Sequence, residues 1–107
     1  MQINLSSRHS EITPAIQEYV MKKAERLPRY FDRIEAIEVL IDKTHNDYEV
    51  EIISTIEHSD PIIARAESQD MYACIDLCMD RAVRQLTDHK SRLRDRKHNP
   101  GSGKNDP

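Results

Sequence analysis

Three segments of the chain alternate between apolar and polar residues, and this alternation constrains the fold more than any other feature. The segments are residues 34–43, 48–57 and 62–67. Because successive side chains of a strand point to opposite faces, each segment predicts a β-strand with one apolar and one polar face. The short turn sequences between the segments predict antiparallel hairpins, and such a sheet buries only one of its faces.

Two other segments repeat apolar residues at helical spacing and therefore predict α-helices. The first begins after Thr13, a good N-cap, with Pro14 at the first helical position, where the missing N–H would be unpaired anyway. We expect this helix to end or bend at Pro28. The second helix begins after the N-cap Asp70 and extends to about Lys97.

The order of these elements predicts the fold class. Ile3 and Leu5 alternate with polar neighbours and predict a strand before the first helix, which gives the order β-α-β-β-β-α. Both helices must cover the same sheet face, because the other face carries Glu and Asp. We therefore predict a two-layer α+β domain over residues 1–97, with a four-stranded sheet and two helices on one face. Residues 98–107 have nothing apolar to bury and are predicted to form a disordered tail.

Several classes of function are disfavoured by what the sequence lacks. It has neither a secretory leader nor a run of about 18 apolar residues, so we expect a cytoplasmic protein without a membrane partner. Both glycines lie after residue 100, so a glycine-rich phosphate loop is missing. We expect no enzymatic activity, no cofactor and no small-molecule substrate.

Two side-chain groups could nevertheless carry chemistry. Cys74 and Cys78 lie four residues apart on one predicted helix and could contribute to a metal site, but burial as reduced thiols is favoured because no further ligand motif completes the set. Glu67, Asp70 and Asp76 could form a carboxylate cluster, although Asp70 is better explained as a helix cap and Asp76 as a solvent-facing or ion-paired residue. We expect no bound metal.

Two aromatic rings of the second helix allow two readings each. Tyr72 fits the apolar stripe, so we expect it in the core rather than stacked on a base. His89 could either contact RNA or flank the core.

The charge distribution predicts a molecule with two electrically different sides. The formal net charge is −3, yet the end of the second helix is basic. On a helical wheel, the residues roughly opposite the apolar stripe are Arg81, Arg84, Arg92 and Arg96, with Asp88 among them. On the first helix the basic residues are Lys22, Lys23 and Arg26. The open sheet face is acidic through Glu38, Asp42, Glu49, Glu51 and Glu57. Charge alone leaves open whether the basic side is solvated or binds RNA phosphates.

Five short blocks carry a family resemblance. They are EITPAI at residues 11–16, YFDRI at 30–34, ARAE at 64–67, DMYACID at 70–76 and RQLTDHK at 84–90. With these blocks the chain resembles the ribosome hibernation promoting factor family, which includes the ribosome-associated inhibitor A proteins and was once called sigma-54 modulation protein. The resemblance covers residues 1 to about 97 and fits the short form, without the extra dimerisation domain.

The resemblance implies a function and a set of site residues. Family members bind the small ribosomal subunit and 16S rRNA where mRNA and the A- and P-site tRNAs would lie, and they silence idle 70S or 100S ribosomes under stress or in stationary phase. The residues that stand where the family tends to have RNA-facing groups are Arg8, Lys23, Arg26, Arg33, Arg81, Arg84, Lys90, Arg92 and Arg94. The alternative is a protein-interaction regulator, for example of the transcription machinery, that acts through the acidic sheet face.

Overall fold

A computed structural model describes residues 1–98, with side chains up to Arg94. Its elements are β1 (Gln2–Arg8), α1 (Pro14–Ala24), a 3₁₀ helix (Leu27–Arg29), β2 (Ile34–Lys43), β3 (Tyr48–Ile56), β4 (Ile62–Ser68) and α2 (Met71–His98). The predicted order β-α-β-β-β-α is confirmed. His98 is the last residue of α2, and the rest of the predicted tail lies outside the described residues.

The four strands form one sheet in the order β1-β2-β3-β4. β1 pairs with β2 in parallel, whereas the β2–β3 and β3–β4 pairs are antiparallel. Helix α1 connects the two parallel strands, as βαβ units require. One hydrophobic core holds residues of both helices and of the sheet, which confirms the two-layer α+β fold.

The alternation in the sequence correctly identifies the buried sheet face. The inward side chains of β2, β3 and β4 are Ile37, Val39, Ile41, Val50, Ile52, Ile56, Ala64 and Ala66. Helix α2 covers them with Met71, Cys74, Ile75, Cys78, Met79, Ala82 and Leu86. Tyr72 was expected in this core, but it is 41% exposed, because Met71 and Cys74 occupy the sheet-facing positions of the first turn.

The helices begin where predicted, but α1 ends early. Thr13 Oγ1 accepts a hydrogen bond from the N–H of Ile16 at 3.2 Å. The α-helix ends at Ala24, and the chain then tightens into the 3₁₀ helix around Pro28. Leu27 lies outside α1, because proline disfavours α-helical geometry in the residue before it. Its side chain nevertheless stays buried in the core.

Helix α2 extends beyond the sheet, and side-chain contacts still hold part of this extension to the domain. Its 28 residues correspond to about 42 Å. Among the described side chains of α2, Leu86 is the last that is fully buried, but His89 and Leu93 remain partly buried. The His89 ring meets the Phe31 ring edge-on, with 5.3 Å between centroids. The loop after α1 therefore supports α2 beyond Leu86.

Candidate nucleic-acid interface

The crest of α2, which faces away from the sheet, carries Arg84. This residue is exposed and lies about 160° around the helix axis from the buried Leu86. Within the described residues its guanidinium has no salt bridge. Arg84 therefore points its full charge into solvent at the centre of the helical layer.

The side of α2 that faces β4 carries a second basic group. The Arg81 guanidinium donates a hydrogen bond to the main-chain carbonyl of Arg65 at 2.6 Å, which fixes this side at the sheet edge. Arg92 follows about three turns later on the same side and is exposed. Asp88 lies between them and is also exposed, so it weakens the positive potential between Arg81 and Arg92.

The side of α2 that faces α1 carries a third basic group. Tyr72 and Asp76 mark this side, because both contact Tyr19 of α1. Lys90 and Arg94 each follow one of these markers by about five turns, so they lie on the same side, and both are exposed. Basic groups near the end of a helix also complement its macrodipole.

Lys23, one of the predicted RNA-facing residues, is 31% exposed and forms a salt bridge between α1 and α2. Its Nζ lies 2.9 Å from Asp76 Oδ1, and the same oxygen accepts a 2.5 Å hydrogen bond from the Tyr19 hydroxyl. These contacts lower the pKa of Asp76, chiefly through the Tyr19 hydrogen bond, while the bond to Asp76 raises the pKa of Lys23. Lys23 therefore connects α1 to α2, and its charge is already neutralised by Asp76.

This cluster predicts a pH-dependent contribution to stability. Because folding lowers the pKa of Asp76, its stabilisation is present above about pH 4, the unfolded-state pKa, and is lost as pH falls through the lower folded value. Asp76→Asn should lower the free energy of unfolding at pH 7 by about 0.5–1 kcal/mol, a modest value because the Asp76 side chain is 45% exposed.

Urea denaturation of wild type and variant at pH 7 and near pH 2 measures the effect. The difference should shrink in acid, and a constant difference would contradict the assignment. Asp80→Asn, which changes an exposed carboxylate one turn further along α2, serves as the matched control and should show little change at either pH.

Three remaining predicted residues lie in separate places. Arg26 is exposed after the end of α1, beside the 3₁₀ helix. Arg33 is exposed in the loop before β2, where its main-chain carbonyl accepts a 3.1 Å hydrogen bond from Glu57. Arg8 ends β1 directly opposite Asp42 of β2, on the open sheet face. The described structure thus places Arg8 apart from the helical residues.

From the predicted RNA-facing residues, we group those that are exposed on the helical layer and not bonded to the sheet as the helical cationic surface. Its members are Arg26, Arg84, Lys90, Arg92 and Arg94. The exposed rings of Tyr30 and Tyr72 belong to the same layer, at 43% and 41% exposure. The sequence predicted a core position for Tyr72, because its spacing fits the apolar stripe of the second helix, and no surface role was predicted for Tyr30. Together the basic and aromatic groups offer phosphate contacts and stacking faces, the two means by which proteins hold RNA.

Cys74 and Cys78 are buried core thiols, as expected. The Cys74 thiol donates to the carbonyl of Ala66 at 3.3 Å, and the Cys78 thiol donates to that of Ala64 at 3.4 Å. Burial raises the pKa of Cys78 to about 12, so its thiolate is scarce at neutral pH. Residues 1–98 contain no grouping of His, Cys, Asp and Glu that could hold a metal ion.

Of the two interpretations of His89, the structure supports the one in which its ring flanks the core. Its Nε2 atom is buried, and the ring packs on Phe31. The tip of the imidazole is therefore not presented to a ligand.

Comparison with known proteins identifies the family. The family model described as sigma 54 modulation protein / S30EA ribosomal protein matches residues 3–94. The chain belongs to this family. Relatives named ribosome hibernation promoting factor include proteins of Escherichia coli K12 and Azotobacter vinelandii. The Escherichia coli K12 protein is 39% identical over 94 residues, covering 88% of this chain and 98% of the relative. The Azotobacter vinelandii protein is 37% identical over 92 residues, covering 86% of this chain and 85% of the relative.

Solved structures of the family share the fold. A ribosomal subunit interface protein from Coxiella burnetii superposes with a TM-score of 0.79 at 31% identity, over 85% of this chain and 99% of that one. The N-terminal domain of Thermus thermophilus Protein Y superposes with a TM-score of 0.74 at 33% identity, over 83% of this chain and 99% of that one. None of the helices within residues 1–98 combines the length and apolar composition that a bilayer crossing requires.

Proposed function

We propose that this member of the family is a ribosome hibernation factor that binds the small ribosomal subunit through the helical cationic surface. It contacts 16S rRNA in the channel used by mRNA and by the A- and P-site tRNAs. By occupying this channel it silences 70S ribosomes in the cytoplasm during stress or stationary phase. The printed names of the relatives, ribosome hibernation promoting factor and ribosomal subunit interface protein, support the ribosome as the partner.

The observation that carries the proposal is the arrangement of charge around α2. Arg84 on the crest, Arg92 on one side and Lys90 with Arg94 on the other make a convex basic ridge. A convex ridge on a rigid helix fits an RNA cleft with phosphates on both walls. Arginine also pairs with phosphate in a bidentate geometry, which a lysine cannot do.

The open sheet face is a poor alternative for RNA. Its side chains include Glu38, Asp42, Glu49 and Glu51, whose carboxylates repel phosphate. The helical layer is therefore the side that an RNA partner would approach.

Sedimentation with purified subunits tests the choice of partner. The protein should pellet with 30S and 70S particles at low salt and should not pellet with 50S subunits alone. Recovery with 50S subunits only would overturn the proposed site. Competition by mRNA and initiator tRNA should displace the protein from 30S subunits, because all three would share one channel.

The salt dependence of this binding provides a separate prediction. If four basic residues of the ridge each neutralise one phosphate, the affinity for 30S subunits should fall about 50-fold between 50 and 200 mM monovalent salt. Fluorescence anisotropy of labelled protein across this range measures the slope. A salt-independent affinity would mean that the ridge does not contact phosphates.

A further inference from the structure

The open face of the sheet, opposite the helices, contains a concave groove of about 860 Å³. The residues that line it, which we call the sheet groove, are Ser6, Ser7, Arg8, Leu40, Ile41, Asp42, Glu49, Val50, Glu51, Arg65, Ala66, Glu67 and Arg81. Its volume lies in the range of ligand-binding clefts. Because the groove and the helical cationic surface lie on opposite faces, each could be occupied without blocking the other.

Strand register arranges the side chains of the groove in two rows. One row runs Arg8, Asp42, Glu49, Glu67 across the four strands, and the next runs Ser6, Leu40, Glu51, Arg65. Two of the carboxylates already have basic partners. Glu51 accepts a 2.5 Å hydrogen bond from Arg65 Nε, and Asp42 lies 3.0 Å from His9 Nδ1.

Glu49 and Glu67 are the exceptions, because they face each other. They occupy directly opposite positions on β3 and β4, and within the described residues neither has a salt bridge. Like charges in such a cross-strand pair destabilise a sheet. The hydrogen bond to Glu67 raises the pKa of Glu49, as expected when two carboxyl groups compete for one proton. The fold thus retains a charge repulsion that a cationic ligand would relieve.

The surroundings narrow the class of that ligand. The lining holds four carboxylates and three arginines: Arg65 pairs with Glu51, Arg8 lies opposite Asp42, and Arg81 bonds to the Arg65 carbonyl. The carboxylates without a basic partner are those of Glu49 and Glu67, which disfavour a nucleic acid ligand. Residues 1–98 hold no grouping suited to a metal ion. Leu40 is the apolar member of the second row, and the row after it, outside the groove, carries Ile53 and the 43% exposed Ile63. Apolar surface beside carboxylates suits the long side chains of arginine and lysine, which bury their stems and extend a charged head.

We propose that the sheet groove binds an arginine- and lysine-rich segment of a partner protein in extended form. Alternate residues of the segment direct their guanidinium groups towards Glu49 and Glu67, while their aliphatic stems cover Leu40. Bidentate pairing with carboxylates favours arginine over lysine. This activity is separate from the ribosome-binding function proposed above and does not rest on it.

Binding of a labelled peptide of about eight residues with alternating arginine and alanine tests the proposal, because such a strand presents every arginine on one side. Fluorescence anisotropy should show saturable binding to the wild-type protein. The double variant Glu49→Gln, Glu67→Gln should weaken binding about 10-fold or more. The matched control Glu38→Gln, Glu57→Gln removes the same charge outside the groove and should change binding less than about 2-fold.

Several outcomes would overturn the proposal. They are the absence of saturable binding, equal losses in the two double variants, and displacement of the peptide by spermidine at the concentration where free arginine peptide competes. Equal losses would indicate general attraction to a net-acidic protein, and spermidine displacement would indicate a site for small polycations.

Two readouts keep the result independent of folding and of ribosome binding. The groove variant should melt at or above the wild-type temperature at pH 7, because it removes a like-charge pair, so weak binding could not be ascribed to unfolding. The variant Arg84→Glu, Arg92→Glu should bind the peptide as tightly as wild type. If that variant lost peptide binding, the helical layer rather than the groove would be the site.

Discussion

Replacing Arg84 and Arg92 with glutamate should reduce affinity for 30S subunits by at least about 100-fold and leave the fold intact. Both residues are exposed on α2. Each substitution replaces a guanidinium group that attracts phosphate with a carboxylate that repels it. Each charge-assisted hydrogen bond contributes about 1.5–3 kcal/mol, so the loss of two accounts for this factor. Arg81 is left unchanged, because its bond to the Arg65 carbonyl gives it a structural role.

Sucrose-gradient sedimentation and anisotropy with 30S subunits measure the loss. The variant Arg8→Glu, Lys43→Glu is the matched control, since it makes the same change in net charge at two exposed positions of the sheet. It should bind nearly as wild type, and equal losses would show that overall charge, rather than the ridge on α2, governs binding. The conservative variant Arg84→Lys, Arg92→Lys should retain most of the affinity but lose the bidentate contribution.

Truncating Leu86 to alanine should lower the free energy of unfolding by about 2–5 kcal/mol. Leu86 is 0% exposed and is the last fully buried residue among the described side chains of α2, so the cavity would lie where the helix leaves the sheet. For a domain of this size the melting temperature should fall by about 10 °C or more.

Leu77→Ala makes the same deletion on the same helix at a side chain that is 37% exposed. It should cost less than about 1 kcal/mol, because little buried surface is lost. Urea denaturation and calorimetry of both variants provide the comparison. Because alanine forms helices at least as well as leucine, similar losses at Leu77 and Leu86 would mean that packing on the sheet does not set the contribution of these side chains.

The fold was readable from local signals. The alternation in β2, β3 and β4 fixed both the strands and their buried face, because the sheet buries only one side. Thr13 and Asp70 marked the two helix starts, since capping depends on residues only a few positions apart. Pro28 correctly indicated a break, but a tightened 3₁₀ helix after Ala24 depends on how Leu27 packs, which local sequence does not specify.

The candidate site was readable only in part. Arg84, Lys90, Arg92 and Arg94 follow from helical periodicity once Leu86 is placed on the core side. The pairing of Lys23 with Asp76 joins residues far apart in sequence, so no local pattern reveals that this charge is neutralised.

Two other placements also depended on long-range contacts. Arg8 resembled an RNA-facing residue, yet its face is set by the register of β1 against β2. His89 could be assigned to the core only from its contact with Phe31.

The end of α2 extends beyond the sheet and is supported on one side only, by the contacts of His89 and Leu93. Leu93 is the last described side chain that packs against the core, and its neighbours Arg92 and Arg94 are both exposed, so this turn is held by few side-chain contacts. Such turns open at a low free energy compared with global unfolding. A ligand that clamps Arg92 and Arg94 would close these openings and spend part of its binding energy on ordering the helix. Amide exchange in the last turns would then report occupancy of the ridge more sensitively than any contact in the core.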